Sequence, residues 1–186
     1  MSCYETSNTK KPSEQEILDR VPFGHLVFVK GRKKSWTNML QQRLVNMLSQ
    51  SVYARVHFVS RMSRTDFLRL VGNADVMLHP FPFGGSKTSA DGIAVGVPVV
   101  CLKTKYLRGR MAYSLFATME YEETVAETRS QYVAIAVKLG LERTFRLEVS
   151  KNIRERNYMI WERKEYTRSW HRFLKRAVLA SSRMFS

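Results

Sequence analysis

The chain has only two cysteines, Cys3 and Cys101, and it has no long apolar run. The two cysteines stand far apart, which excludes a disulfide framework and a cysteine-based metal site. A membrane-spanning helix needs ~18 consecutive apolar residues, and a secretory signal needs a shorter apolar stretch near the N-terminus. Residues 1–13 form a polar leader that supplies neither. We therefore expect a soluble protein of the cytoplasm or nucleus.

Acidic residues are also scarce. The 186 residues contain 31 Lys or Arg against 16 Asp or Glu, which gives a formal net charge of +15 at pH 7. Such an excess favours anionic partners but does not decide the fold. The hydrophobic fraction of 44% is too high for a disordered chain, and the length suits one domain.

Short runs rich in β-branched and aromatic residues alternate with segments of helical periodicity. The predicted strands cover residues 26–29, 55–59, 75–78 and 97–102. The predicted helices cover residues 36–48, a short segment capped by Ser63, and residues 86–95, 107–118, 124–139, 143–156 and 162–179. This order is typical of an α/β fold, with a Rossmann-like parallel sheet and helices on both faces.

We expect the Rossmann-like domain to cover residues 14–156 and a C-terminal amphipathic helix to lie in residues 157–186. That helix carries an apolar stripe that includes Trp170, Phe173 and Leu174. Amphipathic helices usually bury such a stripe, so we expect it to pack on the domain. Its basic side chains leave a membrane-surface or nucleic-acid role as alternatives.

The segment from His79 to Asp91 leaves the third predicted strand and enters a helix. In open parallel sheets, ligands bind beyond the carboxyl ends of the strands. Gly84 and Gly85 let an anion approach the backbone, and Ser86 can cap the following helix. The first amides of that helix, with the positive end of its dipole, favour an anion site.

Three polar side chains follow in the same segment. Lys87 adds a positive charge and Thr88 adds a hydroxyl donor. Asp91 lies one turn further on, where its carboxylate can accept hydrogen bonds from two ribose hydroxyls. The segment therefore offers partners for a diphosphate and a ribose. The residues alone leave an ordinary glycine-rich turn as the alternative, with Lys87 and Asp91 in solvent.

Two common nucleotide-binding motifs are absent from the sequence. The phosphate loop of nucleoside triphosphatases needs glycine directly before its lysine and again five positions earlier, but Ser86 and Phe81 occupy those positions. No Gly-x-Gly-x-x-Gly pattern follows a predicted strand. The anion site must therefore be of another kind.

Several stretches resemble the C-terminal catalytic half of the O-linked N-acetylglucosamine transferase family, including its SPINDLY-like relatives, which form glycosyltransferase family 41. The clearest are Ala-Asp-Val-Met-Leu-His-Pro-Phe-Pro-Phe-Gly-Gly at 74–85 and Thr-Ser-Ala-Asp-Gly-Ile-Ala-Val-Gly-Val-Pro-Val-Val at 88–100. Residues 63–68 and 107–110 add to the resemblance, and weaker similarity reaches 18–22 and 132–139. Most of the chain is covered.

The resemblance implies a GT-B fold, in which two Rossmann-like halves face each other and the C-terminal half binds the UDP-sugar. It also implies UDP-N-acetylglucosamine as the donor, transfer to Ser or Thr of proteins, and no metal requirement or other cofactor. The implied UDP-sugar site contains Arg64, Phe67, Gly84, Gly85, Ser86, Lys87, Thr88 and Asp91.

The roles that the resemblance implies differ among these residues. Arg64 takes the place of a basic residue that meets the phosphates, and Phe67 that of a ring against uracil. Ser86 and Lys87 depart from the family, in which human-type enzymes have His and Thr.

The family's candidate base and its acceptor-selecting tetratricopeptide superhelix precede the half that this sequence resembles. We therefore assign no catalytic residue and expect a second half or a partner chain to bind the protein acceptor.

Two other hypotheses stay open. One is a catalytically silent UDP-binding module or gene fragment. The other is a basic nucleic-acid-binding protein, since 12 Lys or Arg stand against 5 Glu from Leu141 onward, although no recognition motif is present.

Overall fold

The structure is a computed structural model that describes residues 11–161 and 163–184, with side chains in the last helix described to residue 180. Strands and helices alternate, as the sequence predicts. The elements are α1 (Ser13–Arg20), β1 (Leu26–Val29), α2 (Lys34–Met47), α3 (Gln50–Tyr53), β2 (Val56–Val59), α4 (Arg64–Gly72), β3 (Met77–Leu78), α5 (Ser86–Ala94), β4 (Val99–Leu102), α6 (Leu107–Thr118), β5 (Val125–Ala126), α7 (Arg129–Leu141), α8 (Arg143–Arg156), a 3₁₀ helix (Asn157–Ile160) and α9 (Lys164–Met184).

The strands pair in parallel, in two groups. β1 pairs with β2, with Leu26 opposite Val56, and β4 lies between β3 and β5. Parallel neighbours need a crossover connection, and each crossover here contains a helix. The single sheet expected from the sequence is therefore divided, in the described residues, into a pair and a triplet. β3 and β5 have only two residues each, so few ladder hydrogen bonds are available.

One predicted helix begins too early. The sequence pattern predicts a helix over residues 124–139, but β5 occupies Val125–Ala126 and α7 begins at Arg129. Thr128 caps α7, since its hydroxyl accepts a hydrogen bond from the Gln131 amide at 3.2 Å. Val125 and Ala126 are buried beside β4. Burial in the sheet, rather than local periodicity, makes this segment a strand.

The main core surrounds the three-stranded group. Val99, Val100 and Cys101 of β4 are fully buried, together with Phe116 of α6 and Ile153 of α8. Burying a large apolar side chain stabilises a protein by about 1.5–3 kcal/mol. Burial, with a smaller contribution from a nearby carboxylate, raises the pKa of the Cys101 thiol to about 12. This cysteine is therefore an inert core residue, and Cys3 lies outside the described residues.

A second apolar cluster lies under the β1–β2 pair. It joins Leu18 of α1, Leu44 of α2 and Val52 of α3 to the inner face of the two strands. On the other face of β1, Val27 and Val29 are exposed. The α2 and α3 crossover thus covers one side of this pair.

The C-terminal helix α9 does not show the packing expected from its apolar stripe. All its described side chains, from residue 164 to residue 180, are exposed. Trp170, Phe173, Leu174 and Val178 are between 54% and 67% exposed. An apolar stripe is buried only where a complementary surface faces it, and the core residues of the domain already pack on one another. No helix in the described ranges combines the length and the apolarity that crossing a membrane requires.

Candidate functional site

The candidate site begins where the chain leaves β3 and enters α5 through residues 79–85. Gly85 is the N-cap residue of α5 and makes no side-chain capping bond. Ser86 is the first helical residue, so the prediction that Ser86 caps this helix is wrong. The Ser89 hydroxyl instead donates to the carbonyl of Gly85 at 2.6 Å. The first N–H groups of a helix have no intrahelical acceptor, so this uncapped start offers donors to an anion.

An open pocket of about 510 Å³ lies at this helix start. Five of the eight expected site residues line it: Gly84, Gly85, Ser86, Lys87 and Thr88. The rest of the lining consists of Phe83, Leu107, Arg108 and Met111. The pocket lies beyond the carboxyl end of β3, where open parallel sheets bind their ligands.

Helix α6 fixes the position of the loop. The Gly84 N–H donates to the carbonyl of Arg108 at 2.9 Å. A Cβ on Gly109 would lie 2.8 Å from the carbonyl oxygen of Pro82, so only glycine permits this approach of helix and loop. The guanidinium carbon of Arg108 lies 4.7 Å from the centre of the Tyr106 ring. Arg108 is also one of the residues that line the pocket, so it adds a second cationic residue to Lys87.

From the sequence, Arg108 and Arg110 at the start of α6 were candidates for neutralising phosphate, with a solvated turn as the alternative, whereas Leu107 and Met111 were not expected at the site. Leu107 and Met111 carry no polar group that would mark them as binding residues. The available signal was the family resemblance over residues 107–110.

His79 lies directly beneath the glycine loop. It is 1% exposed, and neither of its ring nitrogens has a hydrogen-bond partner. Burial lowers the pKa of the imidazole to about 4, so the ring is neutral at pH 7. A Cβ on Gly84 would lie 1.7 Å from His79 Cε1. Tyr132 anchors the same residue, since its hydroxyl donates to the His79 carbonyl at 3.2 Å.

An ion pair joins α4 to α5 beside the pocket. Arg64 Nη2 lies 2.9 Å from Asp91 Oδ1. The Asp91 side chain is 9% exposed and the Arg64 side chain is 61% exposed. A carboxylate with so little access to water needs a charged or hydrogen-bonding partner, and Arg64 supplies one. Ser63 caps α4 as predicted, since its hydroxyl accepts a hydrogen bond from the Asp66 amide at 3.1 Å.

Three expected site residues therefore lie outside the pocket lining. Arg64 and Asp91 form the ion pair, and Phe67 lies one turn after Arg64 on α4, where it is half-buried. Because α5 carries both the pocket residues and Asp91, the two parts of the site share one helix. The arrangement can bind an anion at the start of α5 and a hydrogen-bond donor near Asp91.

No group of three His, Cys, Asp or Glu side chains in residues 11–161 and 163–184 has the geometry of a metal site. Two cationic residues, Lys87 and Arg108, line the pocket at the start of α5. Amide dipoles and such cations stabilise negative charge on a bound diphosphate.

Comparison with known families matches residues 8–170 to glycosyl transferase family 41. A UDP-glucose:protein N-β-glucosyltransferase of Actinobacillus pleuropneumoniae serotype 5b (strain L20) is 29% identical over 135 residues, which cover 72% of this chain and 21% of that protein. A UDP-N-acetylglucosamine–peptide N-acetylglucosaminyltransferase of Caenorhabditis elegans is 33% identical over 87 residues, which cover 47% of this chain and 8% of that protein.

A solved structure, a mutant O-GlcNAc transferase of Thermobaculum terrenum, superposes with a TM-score of 0.76 at 24% sequence identity. The match covers 88% of this chain and 32% of that chain, and it shows a shared fold. This chain therefore spans about a third or less of the length of these relatives. Because the family match runs from residue 8 to residue 170, the chain belongs to glycosyl transferase family 41, with the fold of the C-terminal half of a GT-B enzyme.

Proposed function

We propose that this chain is the UDP-sugar-binding half of a glycosyltransferase that acts on proteins. One observation carries the proposal: the uncapped start of α5 opens into a pocket that also holds the side chains of Lys87 and Arg108. Family membership supports the transferase class. The Rossmann-like domain proposed to perform this binding covers residues 14–156.

The diphosphate is proposed to lie at the start of α5. Backbone N–H groups after Gly84 and Gly85 face it, the Thr88 hydroxyl donates to it, and Lys87 adds a full charge. Ser86 stands at the first helical position, where its own N–H is one of the free donors.

The nucleoside is proposed to lie toward α4. Asp91 uses one carboxylate oxygen for Arg64, so its other oxygen is the proposed acceptor for the ribose hydroxyls. Arg64 is largely exposed, which lets it also reach a phosphate. Phe67 is proposed to stack on uracil from the same face of α4.

UDP-N-acetylglucosamine is the proposed donor, in agreement with the name of the Caenorhabditis elegans relative. UDP-glucose is a second candidate, because the Actinobacillus relative is named for that donor and matches a larger part of this chain. Both share the UDP group, so the residues above serve either one. The proposed acceptor is a protein side chain, held by a second half or a partner chain that also supplies the catalytic base, in the cytoplasm or nucleus.

Calorimetry of the 186-residue chain with UDP, UDP-N-acetylglucosamine, UDP-glucose and ADP tests the proposal. We expect UDP and both UDP-sugars to bind, and ADP to bind more weakly. Asp91→Ala should weaken UDP binding by at least about tenfold, the scale of a lost charge-assisted hydrogen bond.

The matched control is Asp75→Ala. Asp75 is also paired with an arginine, Arg146 at 3.1 Å, but it precedes β3 at the opposite end of the strand. Its replacement should leave UDP binding unchanged. A folded chain that binds no UDP, or that prefers ADP, contradicts the proposed function.

A further inference from the structure

His79 is a buried polar residue whose ring has no partner. It follows β3 directly, it is 1% exposed, and neither ring nitrogen makes a hydrogen bond to the described residues. Because burial lowers its pKa to about 4, the imidazole is neutral at pH 7 and carries one N–H donor and one acceptor nitrogen. A buried donor or acceptor that stays unpaired destabilises a fold. An apolar side chain of similar volume would avoid that destabilisation.

The backbone of His79 is held on two sides. Its N–H donates to the Val100 carbonyl of β4 at 2.9 Å, and its carbonyl accepts a hydrogen bond from the Tyr132 hydroxyl of α7 at 3.2 Å. The Tyr132 ring also packs edge to face on Phe81, with centroids 5.2 Å apart. The imidazole therefore extends from a fixed point, so a hydrogen-bond partner has to come to the ring.

One edge of the ring faces the glycine loop. A Cβ on Gly84 would lie 1.7 Å from His79 Cε1, 1.9 Å from Nε2 and 2.7 Å from Nδ1. Nε2 is therefore the ring nitrogen nearer the loop. Gly84 is also one of the residues that line the pocket at the start of α5. The same glycine thus contacts both the unpaired ring and the pocket.

The polar groups of this loop are already engaged with other partners. The Gly84 N–H donates to the Arg108 carbonyl at 2.9 Å, and the Gly85 carbonyl accepts a hydrogen bond from the Ser89 hydroxyl at 2.6 Å. A partner for Nε2 therefore has to be an acceptor from outside the loop. A diphosphate offers negatively charged acceptor oxygens, which form stronger hydrogen bonds than neutral acceptors do.

We propose that His79 is a further diphosphate-binding residue, whose Nε2–H donates to the diphosphate of the sugar nucleotide. Gly84 and Gly85 have no side chain, so a rotation of their backbone uncovers the Nε2 edge of the ring toward the pocket. The hydrogen bond that the ring lacks within the chain is thus supplied by the ligand. The proposal rests on the proposed function, since it requires the diphosphate to lie at the start of α5.

Replacement of the ring by an apolar side chain separates this role from a packing role. His79→Leu removes two unpaired polar atoms from the interior and keeps a similar buried volume. Without ligand, its melting temperature by circular dichroism should equal or exceed that of the wild type. Its affinity for UDP and UDP-glucose, measured by calorimetry, should fall by at least roughly tenfold. A residue that serves only packing would lose stability and affinity together.

His79→Gln is the conservative variant. Its side-chain amide nitrogen can take a position close to that of Nε2, and it carries N–H donors. It should recover most of the UDP affinity that His79→Leu loses. Uridine, which has no phosphate, should bind the wild type and both variants alike.

Thr124→Val is the matched control. The Thr124 hydroxyl is the other buried side-chain group without a partner in the part of the chain that the structure describes, and the residue is 0% exposed. Thr124 directly precedes β5, two strands from β3, and it does not line the pocket. Its replacement also removes an unpaired polar atom, so stability should be kept or raised, but UDP affinity should not change.

Three results would overturn the proposal. The first is unchanged UDP affinity in His79→Leu, which would leave the proposed function intact and remove only His79 from it. The second is a lower melting temperature of His79→Leu together with weaker binding of uridine, which would show that the ring supports the fold of the site. The third is no UDP binding by the folded wild type, which would contradict the proposed function as well.

Discussion

Gly84 packs directly on the ring of His79, so closely that any side chain at residue 84 would overlap the ring. The ring is buried and unpartnered, and the loop above it carries the proposed phosphate donors. The position of the Gly84 backbone is set from two sides, by the imidazole below and by the Arg108 carbonyl that accepts its N–H. The identity of residue 84 therefore controls the geometry of the pocket.

Gly84→Ala should destabilise the protein and weaken UDP binding together. The new Cβ would overlap His79 Cε1 at 1.7 Å, so the ring or the loop must move, at a cost of about 1–3 kcal/mol. Chemical denaturation and calorimetry measure the two effects. Gly72→Ala is the control, because a Cβ there meets nothing closer than Val95 at 4.0 Å. Equal effects of the two substitutions would contradict this account of the loop.

The buried His79 ring also makes stability depend on pH. The imidazole pKa is about 4 in the folded protein and 6.5 without burial, so the unfolded chain binds more protons in that interval. Stability should therefore be full above pH 6.5 and fall as the pH drops toward 4, by up to about 3 kcal/mol. The His79→Gln variant has no imidazole at this position, so this pH dependence of stability should be absent from it.

The measurement is the free energy of unfolding at several values between pH 7 and pH 4. The wild type should lose more stability over this range than the His79→Gln variant does, whatever their difference at pH 7. If the free energy of unfolding falls equally with pH in the two proteins, the His79 ring is hydrated in solution.

At the scale of secondary structure, the uncapped N-terminus of α5 is the element that organises the site. With Gly85 at the cap, no side chain competes for the first amides. Lys87 stands in the first turn, where a cation is unfavourable beside the positive end of the helix dipole. A bound diphosphate would reverse that penalty.

Lys87→Thr should weaken UDP binding roughly three- to tenfold and reduce its salt dependence, because one exposed phosphate contact is lost. Uridine, which has no phosphate, should bind both proteins alike. Calorimetry at two salt concentrations provides the data, with Lys151→Thr on α8 as the control. An unchanged UDP affinity at low salt would place the Lys87 ammonium in solvent.

At the scale of the whole molecule, the pocket is open on one side, and the chain spans about a third or less of its compared relatives. The proposed function assigns the acceptor to a second half or a partner chain. A half-site can bind the donor without orienting an acceptor hydroxyl, and orientation is a large part of the rate enhancement.

The isolated chain should therefore transfer no sugar to proteins. Incubation with radiolabelled UDP-N-acetylglucosamine or UDP-glucose and a panel of acceptor peptides measures the transfer, with Asp91→Ala as the background. Turnover above that background would mean that these residues contain the acceptor site as well.

Local features of the sequence were sufficient for the α/β order, the glycine loop and the ends of several helices. Helices α6 and α8 begin and end where the periodicity predicts them, at Leu107–Thr118 and Arg143–Arg156. Ser63 is the predicted cap of α4. Periodicity, capping and turn residues depend on neighbours within a few positions, so they can be interpreted without knowing the fold.

Contacts between distant residues account for what the sequence did not reveal. Arg64 and Asp91 are 27 positions apart, and their pairing depends on how α4 packs beside α5. The burial of His79, the α6 side of the pocket and the strand at Val125–Ala126 depend equally on neighbours brought in by folding. For the apolar stripe of α9, the sequence predicted burial and the described residues show exposure. Amphipathicity predicts a face that can be buried. Burial itself requires a complementary surface, which only the tertiary structure supplies.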